Sequence, residues 1–120
     1  MLSPEPRTLI SLIILSSILL SHFADGQFDE EWCVADVQTP DDILLGAMDW
    51  ACNNGADCGP IRPDQPCYLP NTMADHASFA FNSYYLNMKS KGADCYFNAA
   101  AIITSSDPSH GACKFGASHE

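Results

Sequence analysis

Positive charge is scarce in this chain: 5 Lys and Arg stand against 15 Asp and Glu, a formal net charge of -10. A phosphate backbone needs a basic footprint, so nucleic acid is excluded as a partner. An anionic membrane surface is unsuitable for the same reason. Length is limited too: 120 residues hold one domain and leave no room for a large catalytic domain beside a binding domain. Long apolar runs are missing. The longest, residues 9–20 (LISLIILSSILL), has 12 residues, about 18 Å as a helix against roughly 30 Å of hydrocarbon. The sequence has no Gly-x-Ser-x-Gly nucleophile motif, no Gly-rich phosphate loop, no Asn-x-Ser/Thr acceptor, no internal repeat and no low-complexity run. Its 47% hydrophobic content nevertheless excludes wholesale disorder.

The short apolar run reads as an address. Arg7 and the amino terminus supply positive charge before it, and Ala24-Asp25-Gly26 follows with small residues at alternate positions. This is the three-part layout of a secretory signal peptide over residues 1–26, cleaved after Ala24 or after Gly26. The sequence ends at Ala117-Ser118-His119-Glu120 without an apolar tail, so no membrane anchor is expected and the product should be soluble and extracellular.

Six cysteines are present: Cys33, Cys52, Cys58, Cys67, Cys95 and Cys113. Export makes disulfides the default, and six cysteines permit about 15 pairings among which spacing does not choose. Zinc sites use short paired spacings, whereas the gaps here are 18, 5, 8, 27 and 17 residues, so no metal or other cofactor is expected. A chain this small buries only about two-thirds of its surface, and each bridge contributes about 2–4 kcal/mol in the entropic account.

Periodicity organises the rest. Residues 27–31 are a polar, acidic arm, and Trp32-Cys33-Val34-Ala35 is an apolar stretch suited to extended chain. Thr39-Pro40-Asp41-Asp42 looks like a helix entry, and Leu44, Ala47, Met48 and Ala51 form the stripe of an amphipathic helix over residues 41–53. Residues 54–70 form a loop in which Pro60, Pro63 and Pro66 preclude regular structure. Thr72 caps a second helix whose pattern runs through Ala77, Phe81, Tyr84, Tyr85 and Met88, with Gly92 as its stop. Cys95-Tyr96-Phe97 and residues 100–104 read as short strands, and Cys113-Lys114-Phe115 closes the domain.

Catalysis finds little support. Acids are abundant enough to give glycosidase-like separations by accident, and nothing marks one as buried with a raised pKa. The aromatics say more, because flat rings with a polar handle stack on sugar faces while Asp, Asn and Gln take the hydroxyls. Tyr84 and Tyr85 are adjacent on a helix, about 100° apart, so one of them lies at or near the surface.

Trp32-Cys33-Val34-Ala35, Ala47-Met48-Asp49-Trp50-Ala51-Cys52 and Gly55-Ala56-Asp57-Cys58-Gly59-Pro60-Ile61 resemble the plant X8 domain, the family-43 carbohydrate-binding module. The resemblance continues through Cys67-Tyr68-Leu69-Pro70-Asn71-Thr72, the run from His76 to Tyr85, Asp107-Pro108-Ser109 and Cys113-Lys114-Phe115, and it covers residues 32–115. It implies an α+β fold: a small disulfide-rich domain with two main helices and a small antiparallel sheet. It implies the bridges Cys33–Cys95, Cys52–Cys58 and Cys67–Cys113. It implies a non-catalytic β-1,3-glucan (callose) binder, secreted to the cell wall, with plasmodesmata among the locations of the family and a free pollen-allergen-like form as the nearest type. Residues 116–120 are then a short tail. A glucan would stack on Tyr68, Tyr84 or Tyr85 and be hydrogen-bonded by Asn71, Asp75 and Asn82. Two departures stand out: Tyr96-Phe97-Asn98-Ala99 replaces an acid, Phe and glycines, and Asp64-Gln65-Pro66 stands where glycines are common.

The alternative is an extracellular structural or protein-interaction domain without glycan binding, meeting cationic partners through its acidic surface. Salt separates the two, since charge steering weakens with ionic strength while ring stacking hardly changes. For the exported scaffold the expected outcome is direct. Mass mapping of the secreted, oxidised protein finds an amino terminus at Asp25 or Gln27 and no free thiol; one unpaired cysteine overturns the scaffold.

Overall fold

The computed structural model describes residues 29–119. The signal peptide read at residues 1–26 and the first part of the acidic arm lie outside the described residues. One compact unit runs Glu30–Ser118. The elements in order are β1 (Glu30–Ala35), α1 (Asp41–Asn53), a 3-10 turn (Gly59–Ile61), α2 (Met73–Met88), a second 3-10 turn (Lys89–Lys91), β2 (Ala101–Thr104) and β3 (Ser118–His119). The fold is α+β: two helices beside a three-stranded sheet of order β2-β1-β3.

β1 is the central strand, and both its faces are covered. It runs antiparallel to β2, with Trp32 opposite Thr104, Cys33 opposite Ile103, Val34 opposite Ile102 and Ala35 opposite Ala101. Successive strand residues point to opposite faces. Cys33 and Ala35 therefore enter one core, with Leu44, Ala51, Ala77, Ala80, Phe81 and Tyr85. Trp32 enters a second core with Cys67, Cys113 and Phe115. Burial on both faces explains why residues 32–35 read as one unbroken apolar run.

The helices form where their patterns put them, with one difference at the entry of α1. Pro40 occupies the N-cap and no side chain caps the helix; Asp41 and Asp42 stabilise its first turn by charge alone. In α2, Thr72 Oγ1 accepts from Asp75 N at 3.1 Å and donates to the Asp75 carboxylate, a reciprocal cap. Ala51, Ala77 and Ala80 are fully buried and let the helices approach closely. At the end of α1 a Cβ on Gly55 would meet Met88 Sδ of α2 at 2.7 Å, and the φ of 127° there lies in the region that favours glycine.

Three disulfides brace the unit: Cys33–Cys95, Cys52–Cys58 and Cys67–Cys113, closing separations of 62, 6 and 46 residues. Longer loops restrict the unfolded chain more, so the first and third carry most of the entropic effect and the second fixes local geometry.

Three sequence readings are corrected. Cys95-Tyr96-Phe97 is not a strand but leads into a turn in which Phe97, Asn98 and Ala99 have φ of 52°, 53° and 70°; no ladder accommodates that left-handed backbone. The loop at residues 54–70 contains the 3-10 turn Gly59–Ile61, with Pro near its start where the missing N–H costs nothing. The tail at residues 116–120 contributes β3.

Two N–H groups of β1 are satisfied by α2 rather than by another strand. Cys33 N donates to Asn82 Oδ1 at 3.0 Å, and Ala35 N donates to Ser78 Oγ at 2.9 Å. Four residues of helix span about 6 Å and two residues of strand about 6.6 Å, so the spacings match. Asn82 Nδ2 also donates to Gly116 O at 2.8 Å. Removing this side chain strands a buried donor and a carbonyl. Asn82→Ala should lower stability by about 2–3 kcal/mol, read as a fall in the urea midpoint at unchanged slope; a loss within about 0.5 kcal/mol refutes the assignment.

Candidate functional site

A second stripe runs along α1 and shares Ala47 with the core-facing one. Ile43, Gly46, Ala47 and Trp50 recur at intervals of three and four residues and so share a face. Together with Tyr84 from α2 and Asp94, Tyr96, Phe97 and Asn98 from the loop before β2, they line an open groove of about 480 Å³. Trp50 is 49% exposed and Tyr96 58%. Beside Gly46 a side chain would meet nothing within 4 Å, so this glycine keeps the α1 side of the groove clear.

Three rings pack edge to face at this groove. The centroids lie 5.1 Å apart for Trp50–Tyr84, 5.4 Å for Tyr84–Phe97 and 6.1 Å for Trp50–Phe97, with interplanar angles of 67°, 69° and 79°. This geometry suits the ring quadrupoles and fixes the Trp50 face without burying it. Beneath, Phe97 stacks on the fully buried Phe81 at 4.2 Å and 19°. Cys95 is bonded to Cys33 of β1, so the loop is anchored on both sides of Tyr96.

Asp94 is the one charged residue among those lining the groove. In a chain of net charge -10, such a lining suits a neutral ligand with hydroxyls for Asp94 and Asn98 and flat apolar faces for the rings. A single carboxylate provides no partner for two-carboxylate glycoside hydrolysis within the groove. No group of three or more His, Cys, Asp or Glu side chains that could hold a metal occurs among the described residues, and no described helix is long and apolar enough to cross a membrane.

Of the six residues the sequence put forward as ligand contacts, the groove contains Tyr84. Asn82 is 2% exposed and committed to β1 and Gly116; it is a structural residue. Tyr85 is buried in the first core, with the Lys89 ammonium 5.2 Å from its ring centroid. The other three gather at the start of α2. Tyr68 packs its ring against His76 at 5.5 Å, the Asp75 carboxylate accepts from the Thr72 cap, and Asn71 is exposed just before the helix. Asp75 and Tyr84 are nine residues apart, about 900° of helix, and so lie on opposite faces of α2. Trp50, Tyr96 and Asn98 line the groove and were not among those six; the Ile43-Gly46-Ala47-Trp50 stripe is the sequence signal that points to it.

An X8 domain model matches residues 31–102, a span that includes every residue of the groove. The chain is an X8-family protein. It is 51% identical over 85 residues to Glucan endo-1,3-beta-glucosidase 4 of Arabidopsis thaliana, covering 70% of this chain and 17% of that protein. It is 36% identical over 106 residues to Plasmodesmata callose-binding protein 1 of Arabidopsis thaliana, covering 88% of this chain and 52% of the relative. It is 42% identical over 90 residues to Major pollen allergen Ole e 10 of Olea europaea, covering 74% of this chain and 73% of the relative. The X8 chain thus spans about one-sixth of the glucosidase and about half of the callose-binding relative.

On the Tyr68 side of this X8 domain, His110 bridges two loops. Its Nδ1 lies 3.0 Å from Pro108 O and its Nε2 3.1 Å from Leu69 O. Both neighbours are acceptors, so only the imidazolium can donate to both. The bonds to Pro108 and Leu69, aided by the Asp75 charge, raise the pKa of His110 above its ordinary 6.5. The stabilisation is fully present below pH 6.5 and is lost as pH rises through the raised folded value. Solvent screening keeps it small. The urea midpoint should decline slightly between pH 5.5 and 8, and His110→Gln should flatten that slope; an unchanged slope in the variant refutes the bridge.

Proposed function

We propose that this chain is a secreted, non-catalytic β-1,3-glucan-binding module of the plant cell wall, and that the glucan lies in the Trp50–Tyr84–Tyr96 groove. The observation that carries the reading is the half-exposed Trp50 ring, held in edge-to-face contact at a groove with a single charged residue. The relatives named for callose binding give the reading its ligand: Plasmodesmata callose-binding proteins 1 and 5 are 36% and 46% identical to this chain over the aligned residues. In the glucosidase relatives the matching segment is about one-sixth of the protein, as expected of an accessory domain. In this reading residues 1–26 are removed on export, and the binding domain is residues 32–115 together with the flanking strand residues of β1 and β3. The wall, including plasmodesmata, is where the glucan would be met.

Stacking supplies the affinity, and sugar hydroxyls exchange water for protein at little net gain, so binding by one domain is modest. The test is retention on insoluble β-1,3-glucan with cellulose as control. Wild type should be retained on the first, unaffected by added salt, and not on the second. Trp50→Ala should weaken retention by about 1–2 kcal/mol, a factor of roughly 5–30 in Kd. Gly46→Leu should abolish it while leaving stability equal or higher, because leucine favours the helix and meets open space. Equal retention on both polymers, or salt-sensitive retention, counts against the reading and favours a charge-steered protein partner.

A further inference from the structure

The loop that closes the groove adopts a conformation its residues resist. Phe97, Asn98 and Ala99 form three consecutive left-handed residues, at φ of 52°, 53° and 70°. For L-residues this conformation brings Cβ against the following carbonyl, and it is rare outside glycine and single asparagines. Such backbone persists only where the surroundings over-determine it. Here they do. The Cys33–Cys95 bridge fixes the entry, Phe97 is clamped on Phe81 at 4.2 Å, and Ala100 N donates to Phe97 O at 3.0 Å while Ala101 N donates to Tyr96 O at 3.2 Å.

The consequence lies in what the turn carries. Tyr96 and Asn98, on either side of the clamped Phe97, both line the groove and are both exposed. Neither uses its side-chain polar atoms in a hydrogen bond among the described residues. Glycine at position 98 would relieve the backbone but leave no amide in the groove. One ring, Trp50, can bind one sugar face, but it cannot sense how the next sugar is linked. Linkage is expressed in the position of the neighbouring unit, and reading it takes a second contact at a fixed separation from the first. A rigid turn supplies that fixity, whereas a flexible loop would not.

We propose that the Tyr96–Asn98 turn is the specificity-determining element of the groove: it engages a second glucosyl unit beside the one on Trp50, and so discriminates β-1,3-linked from β-1,4-linked chains. The inference rests on the glucan reading above. Tyr96 provides the stacking surface and the Asn98 amide reads hydroxyls. Ala99 lies outside the groove lining and serves only the backbone.

Glycine substitutions separate the two roles. Ala99→Gly should raise Tm by several degrees and leave sugar affinity unchanged, because only the Cβ penalty is removed. Asn98→Gly should hold or raise Tm yet weaken binding of laminarihexaose about five- to tenfold. Tyr96→Ala should weaken it by a similar factor. In both Tyr96→Ala and Asn98→Gly the ratio of laminarihexaose to cellohexaose affinity, measured by calorimetry, should fall towards one. If wild type prefers laminarihexaose and both variants keep its affinity and ratio, the inference is overturned and the glucan reading stands. If wild type binds neither hexasaccharide, both are overturned. If Asn98→Gly lowers Tm, the account of a strained turn is wrong.

Discussion

Two hydrogen bonds from β1 N–H groups to side chains of α2 set the position of nearly everything else. Asn82 and Ser78 take the N–H groups of Cys33 and Ala35, so a helix supplies acceptors that a neighbouring strand would otherwise provide. The helix is thereby locked in register with the strand, since a shift of one residue would put Ala77 or Phe79 where Ser78 stands and leave the Ala35 donor bare. Cys33 is also the residue bonded to Cys95. The strand, the helix that carries Tyr84 and the loop that carries Tyr96 and Asn98 thus meet at one residue. The groove takes its rigidity from that junction together with the ring contacts of Trp50, Tyr84 and Phe97.

A core so rich in alanine cannot hold this arrangement by apolar area alone. Ala35, Ala51, Ala77, Ala80, Ala100 and Ala101 are among the buried residues of the larger cluster, and each removes little surface from water. What alanine provides is close approach of helix to helix and of helix to strand. The bridges compensate from the other side of the equilibrium by restricting the unfolded chain. Short side chains and covalent bracing are therefore two parts of one solution: a thin, tightly spaced scaffold whose bulky rings need not all be used inside. Phe81 and Tyr85 are spent on the core, while Trp50 and Tyr96 remain exposed.

The sequence was most legible where structure is periodic and local. Both helices follow from apolar spacing and their stop signals, and the central strand from its unbroken apolar run. The chain order of the cysteines carried the family, which in turn implied pairings that spacing could not choose. Legibility failed where a tertiary contact overrides local preference. Cys95-Tyr96-Phe97 has the aromatic content of a strand, yet the bridge to Cys33 and the stacking of Phe97 on Phe81 fold it into a left-handed turn. Asn82 looked like a surface amide because a helix pattern cannot reveal that a strand with open donors lies alongside it. Adjacent tyrosines announced that one must face outward, and of the two Tyr84 is the groove residue and Tyr85 the core residue. Trp50 was overlooked because the core-facing stripe of α1 accounted for the helix without it.

The acidity of the chain and the low charge of the groove belong together. A net charge of -10 gives like-charge repulsion between copies and shapes encounters with other charged molecules. It does little for an uncharged polysaccharide, which feels neither steering nor repulsion. If the groove carried several carboxylates, each would have to shed water on binding without gaining a counter-charge from the sugar, and affinity would fall. A lone Asp94 among rings avoids that cost while keeping one strong acceptor for hydroxyls. In the proposed reading the surface and the groove are governed by different physics, repulsion over most of the molecule and stacking in the groove. A change at a surface acid should therefore alter solubility long before it alters recognition, whereas a change of one ring should do the reverse.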